Sequence, residues 1–130
     1  MKQVIRGWLP ALLWMGAIFF VSAQATVPSV PGRWDLILKK LMHFAAYGAL
    51  TYLYLRAMRE SVSRDAPIRI ISAGLALLYA LGDEYHQTFV PGRNGTLVDV
   101  GIDAVGVGTL ILLDAWRSEG GPARAQEASQ

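Results

Sequence analysis

Six ionisable side chains lie within stretches that are otherwise apolar: Lys40, His43, Asp83, Glu84, Asp99 and Asp103. Lys40, His43 and Tyr47 follow one another at steps of three and four, and Asp99, Asp103 and Gly106 at steps of four and three. Each set therefore shares one face of a helix. An imidazole that titrates near pH 6.5, set beside carboxylates and an ammonium group, is equipment for acid–base catalysis. In this reading His43 or Glu84 takes the proton, Asp99 orients the base, and Lys40 and Arg93 clamp developing negative charge. Tyr47, Asp83, His86, Gln87, Arg93 and Asp103 supply further contacts to a substrate. Asp83 and Glu84 are adjacent and point apart on a helix, so one of them, Glu84, is expected to enter the site. His43, Glu84, His86, Asp99 and Asp103 have the donor atoms of a metal site. The helical His-Glu-x-x-His signature is absent, and neither metal nor cofactor is expected.

The elements that must position these groups are apolar and long. Of the 130 residues 53% are hydrophobic, and the mean hydropathy of +0.33 is high for a short chain folded around a water-bathed core. Apolar runs cover Trp8–Ala25, Leu36–Met58, Ile68–Gly82 and Leu97–Trp116. Each approaches the roughly 20 residues that cross a hydrocarbon core about 30 Å thick, the third if it continues through Tyr85. Val27, Pro28, Pro31 and Gly32 break the first connection, a polar stretch ahead of Pro67 the second, and Pro91-Gly92 with Asn94-Gly95 the third. The expected fold is all-α: a polytopic membrane four-helix bundle over residues 1–117, followed by a disordered cytoplasmic tail, 118–130.

Lys2, Arg6, Arg56, Arg59, Arg64, Arg69, Arg117 and Arg124 fall on one side of an alternating four-helix topology, against Arg33, Lys39, Lys40 and Arg93 on the other. The positive-inside rule then sets both termini in the cytoplasm and the six ionisable groups toward the outer face. Lys2, Arg6, an apolar run and Ala23-Gln24-Ala25 also have the form of a cleavable signal. The length of the run, and the need for a fourth helix to seal the polar groups, favour a retained span. A net charge of +2 with no basic stripe argues against a nucleic-acid partner. Without cysteine, disulfides and thiolate chemistry are excluded.

Several of these residues have structural readings too. Thr96-x-x-Asp99 matches a helix capping box. Lys39 can snorkel to the interface, and Arg93 can pair with a buried acid. Asp35 and Asp114 read as helix-end residues, and Tyr52, Tyr54, Tyr85 and Phe89 as packing or interface aromatics.

Asp83-Glu84-Tyr85-His86-Gln87, followed by Phe89, Pro91, Gly92, Arg93, Asp99 and Gly106, resembles the VanZ-like membrane proteins, as do Lys40, His43, Phe44 and Tyr47 and, less specifically, Ser22 and Gln24. The resemblance runs from the first helix to Trp116, and Asp103 stands where that family usually has asparagine. It implies a multi-pass cell-envelope protein linked to resistance to the glycopeptide teicoplanin. Two functions are compatible with such a site. One is a membrane-embedded enzyme acting on a lipid-linked or cell-wall precursor. The other is a non-catalytic protein that binds and shields a lipid or precursor. Membrane lipid or a lipid-linked envelope precursor is the expected partner, and the oligomeric state is left open.

Overall fold

A computed structural model of the chain describes residues 2–26, 31–62 and 67–120. These form four helices: α1 (Lys2–Ser22), α2 (Arg33–Ser61), α3 (Ile68–Gln87) and α4 (Leu97–Gly120). Among the described residues there is no strand, so the all-α, four-helix expectation holds. α3 continues through Asp83 and Glu84 to Gln87 without a break. α4 extends three residues beyond Arg117, to Gly120. The remainder of the expected tail, 121–130, lies outside the described residues, as do Val27 and Pro28 of the first connection and Arg64 of the second.

α2 and α3 form a central pair, with α1 and α4 on opposite flanks and not in contact with each other. The core holds Ala11 and Ile18 of α1, Tyr47, Leu50 and Tyr54 of α2, Ala76 and Ala80 of α3, and Val107 of α4. Small residues set the helix spacing. A side chain at Gly106 would run into the backbone of Phe44 on α2, so α2 and α4 cross nearly backbone to backbone at that level. Tyr54 donates to Met15 Sδ and Tyr79 to the Met15 carbonyl, tying α1 to the central pair.

The end of the bundle that holds Ser61 and Arg69 is fastened by polar contacts. Trp8 Nε1 donates to Ser61 Oγ at 2.9 Å. Asp114 accepts from Arg59 at 2.6 Å and Arg69 at 2.9 Å, joining α2, α3 and α4. It is thus a three-helix junction rather than a helix-end bystander.

The outward surface is apolar on all four helices. Leu13 and Phe20, Leu36 and Leu41, Ile70 and Leu78, and Val105 and Leu112 are all exposed. Among the described residues, one stretch, Val4–Ser22 of α1, is long and apolar enough by composition to cross a membrane.

Candidate functional site

The six ionisable residues gather at the end of the bundle away from Asp114, in two clusters that meet at α2 and α3. The first lies between α2, α3 and α4. His43 Nδ1 is 3.1 Å from Asp103 Oδ1 and 3.8 Å from Glu84 Oε1. One turn away, Lys40 Nζ donates to Asp99 Oδ1 at 3.1 Å. Asp103 is fully buried, and Glu84 nearly so.

The start of α4 is built into this cluster. Thr96 caps the helix, its hydroxyl accepting from the Asp99 amide at 3.2 Å and donating to Asp99 Oδ2 at 2.8 Å. In a capping box the acid three residues on would satisfy the Thr96 amide. Here that amide donates to Glu84 Oε2 at 2.9 Å, so a carboxylate from α3 supplies the reciprocal contact. Asp99 is left to combine its capping role with the ion pair to Lys40.

The second cluster lies between α1, α2 and α3. Asp83 Oδ2 accepts from Ser22 Oγ at 2.8 Å, Tyr47 Oη at 3.1 Å and Gln87 Nε2 at 3.2 Å. Such charge-assisted contacts are the strong ones, and they gather side chains of three helices onto one oxygen. A cavity of about 360 Å³ opens beside them. Its polar floor is Ser22, His43, Tyr47, Asp83 and Gln87, its apolar wall includes Trp14, Ile18, Leu38 and Met42, and Asp35, Lys39 and Arg93 also line it. Lys39 is held by Asp35 at 2.6 Å. His43 belongs to the first cluster, where its Nδ1 meets the carboxylates of α3 and α4, and also lines the cavity beside the second.

Several sequence expectations change in this light. Asp83 and Glu84 do point apart, but α3 has neighbours on both flanks, so each enters a cluster of its own and both are buried. Asp103, not Asp99, lies against His43, because Asp99 is occupied by Lys40 and the cap. Among the described residues Arg93 pairs with no carboxylate. Its guanidinium donates to the carbonyls of Val21 at 2.7 Å and Gln24 at 3.1 Å, satisfying the end of α1. His86 is outside both clusters and stacks on Phe19, ring centroids 4.5 Å apart.

Tyr85 and Phe89 are exposed and meet edge to face, in keeping with interface aromatics, whereas Tyr54 is core. Ser22, central to the second cluster, entered the sequence reading only through the family resemblance. Its position at the end of an apolar helix carries no spacing signal.

The fold and site define a class: a small four-helix protein, apolar outside, with an acid-rich polar site between its helices at one end. The profile of the VanZ/LLP1 family matches residues 7–116, and the chain belongs to that family. Searches of curated proteins and of solved structures gave no match.

Proposed function

We propose that the chain is a multi-pass membrane protein, with all four helices spanning and both termini cytoplasmic, that holds the polar head of an anionic lipid-linked envelope molecule. In this reading the head is presented to His43 for acid–base chemistry. The observation that carries it is the lining of the cavity: an apolar wall able to take a lipid chain, beside a polar floor and the cations Lys39 and Arg93. Pockets for amphiphiles combine a mainly apolar surface with a few oriented polar groups.

The spanning topology is supported by three features. At about 1.5 Å per residue the helices are roughly 30 to 44 Å long, enough to cross a hydrocarbon core. Their exposed leucines, isoleucines and phenylalanines surround the bundle, and so broad an apolar surface is unfavourable in water. Of the ionisable groups away from the helix ends, Asp83, Glu84 and Asp103 are buried between helices and Lys40, His43 and Asp99 are partly covered, as the cost of exposing charge to lipid requires. The basic residues Arg6, Arg56, Arg59, Arg69 and Arg117 lie toward the Asp114 end, which the positive-inside rule assigns to the cytoplasm.

On this topology the site opens toward the outer leaflet. His43, oriented by Asp103 and Glu84, is the group able to exchange a proton with the bound head. Asp103 and Glu84 would favour the imidazolium that forms, and Lys39 and Arg93 would attract the anion. Lys40 does not line the cavity and, paired with Asp99 on another helix, holds α2 against α4, whereas Lys39 lines it with its pair on its own helix, Asp35. The link to teicoplanin belongs to the same proposal, because occupying or altering an envelope precursor changes what a glycopeptide meets.

The test uses purified protein in detergent. A long-chain polyprenyl phosphate should raise the unfolding temperature, whereas inorganic phosphate and phosphatidylcholine should not. Equal stabilisation by phosphatidylcholine, or none by the polyprenyl phosphate, would overturn the reading.

A further inference from the structure

The first cluster has an imbalance that its own side chains do not resolve. Its acids are Glu84, Asp99 and Asp103, and among the described residues Lys40 is the one lysine or arginine paired with any of them. With the three acids ionised and His43 protonated, one negative charge remains in excess. Two carboxylate oxygens of the cluster, Glu84 Oε1 and Asp103 Oδ2, are buried and have no hydrogen-bond partner. An unpartnered carboxylate oxygen away from water is costly. One imidazole proton on Nδ1 cannot serve both residues fully.

We propose that His43, Glu84 and Asp103 form a binding site for a divalent transition-metal ion, of the Zn²⁺ or Mn²⁺ kind. One ligand atom from each residue already lies within 4.8 Å of the other two. The nitrogen is 3.1 Å from one carboxylate oxygen and 3.8 Å from the other. Ligands held about 2.0–2.2 Å from a common ion stand roughly 3 to 3.5 Å apart, so small side-chain movements close the site. One imidazole nitrogen and two carboxylate oxygens select a borderline ion over a thiophilic one, and the mixture disfavours Ca²⁺ and Mg²⁺, which take oxygen alone. Three protein ligands leave coordination positions open, as in catalytic rather than structural sites.

The supporting contacts are also present: the other oxygen of Glu84 accepts from the Thr96 amide, fixing the direction of that carboxylate. The ion offsets the excess negative charge. It also explains why three helices each contribute a ligand to one point, since it would clamp α2, α3 and α4 together. His43 also lines the cavity, so a bound ion would lie next to the space proposed for the polar head, and with the ion in place the imidazole would serve as a ligand instead of as the base.

The site is read without lipid, so its failure leaves the lipid proposal standing, and the reverse holds as well. The protein is purified in detergent, stripped with a chelator, and dialysed against Zn²⁺, Mn²⁺ or Mg²⁺ separately. Metal content is then measured by mass spectrometry and unfolding temperature by intrinsic fluorescence. The proposal expects one Zn²⁺ or Mn²⁺ per chain and a higher unfolding temperature with the ion than after stripping. His43→Gln and Asp103→Asn should weaken binding by more than about 100-fold, beyond the usual range for supporting residues. Asp83→Asn, which changes the neighbouring carboxylate, should keep the metal. A wild-type protein that binds no metal, or variants that bind as the wild type does, would overturn the proposal. So would loss of metal on Asp83→Asn in a folded protein.

Discussion

Replacing Gly106 by alanine tests whether close contact between α2 and α4 builds the site. The added Cβ would overlap the carbonyl oxygen of Phe44 and lie 3.1 Å from its carbonyl carbon and 3.2 Å from its Cα. All three atoms are backbone, so no rotamer change relieves the overlap and the helices must separate. Overpacking costs about 1–3 kcal/mol, and a backbone obstacle puts this case at the upper end. Alanine regains up to about 1 kcal/mol over glycine through helix propensity, leaving a net loss near 2 kcal/mol. Gly108, two residues closer to the Asp114 end of α4 and on another face, has nothing within 4 Å of its built Cβ. Gly108→Ala should therefore be neutral or stabilising. Because Phe44 follows His43 and Asp103 precedes Gly106 by one turn, the separation should also lengthen the 3.1 Å contact between His43 and Asp103. The assay is reversible unfolding in mixed micelles for wild type, Gly106→Ala and Gly108→Ala. Equal stability of the two alanine variants would refute the reasoning.

Arg93→Ala should lower stability by about 1 kcal/mol by leaving the Val21 and Gln24 carbonyls without their donor; Arg93→Lys should restore only part, since one ammonium replaces a planar fork. Unfolding of the three proteins side by side checks it, and full rescue by lysine would count against the two-carbonyl geometry. The chain lacks cysteine, so single cysteines at Asn94 and Glu119 report topology directly: in intact cells an impermeant thiol reagent should label the first and spare the second. The opposite pattern would invert the site.

Much of the site was legible because helical spacing fixes which residues of one helix share a face. Lys40, His43 and Tyr47 do lie along the inward stripe of α2. Their partners were not legible, because the three fan out to different neighbours: Lys40 to Asp99 on α4, His43 to Asp103 and Glu84, and Tyr47 to Asp83 on α3. That choice depends on where α2 crosses α4, which Gly106 sets through a backbone contact that no periodicity encodes. The Thr96 cap was readable from its spacing with Asp99, whereas the donation of its amide to Glu84 depends on how the chain returns after Gln87. Arg93 misled for a related reason. Its charge suggested an acid, but the turn brings it to the carbonyl end of α1, where partial negative charge is found on the backbone itself. The carboxylates of Asp83 and Glu84 were rightly expected to diverge, and the sandwiching of α3 between two flanks buries both.

The central claim is that the cavity beside Ser22, His43, Tyr47, Asp83 and Gln87 holds the head of an anionic lipid-linked molecule. Native mass spectrometry of the protein extracted from its own membranes tests it most directly, with Ala17→Trp as the comparison. Ala17 lines the cavity and is exposed, so tryptophan should fill the space without disturbing the core. The account predicts a bound phosphate-bearing lipid on the wild type and its loss from an equally stable Ala17→Trp protein. A wild type that carries no such lipid, or a variant that carries as much, would contradict it.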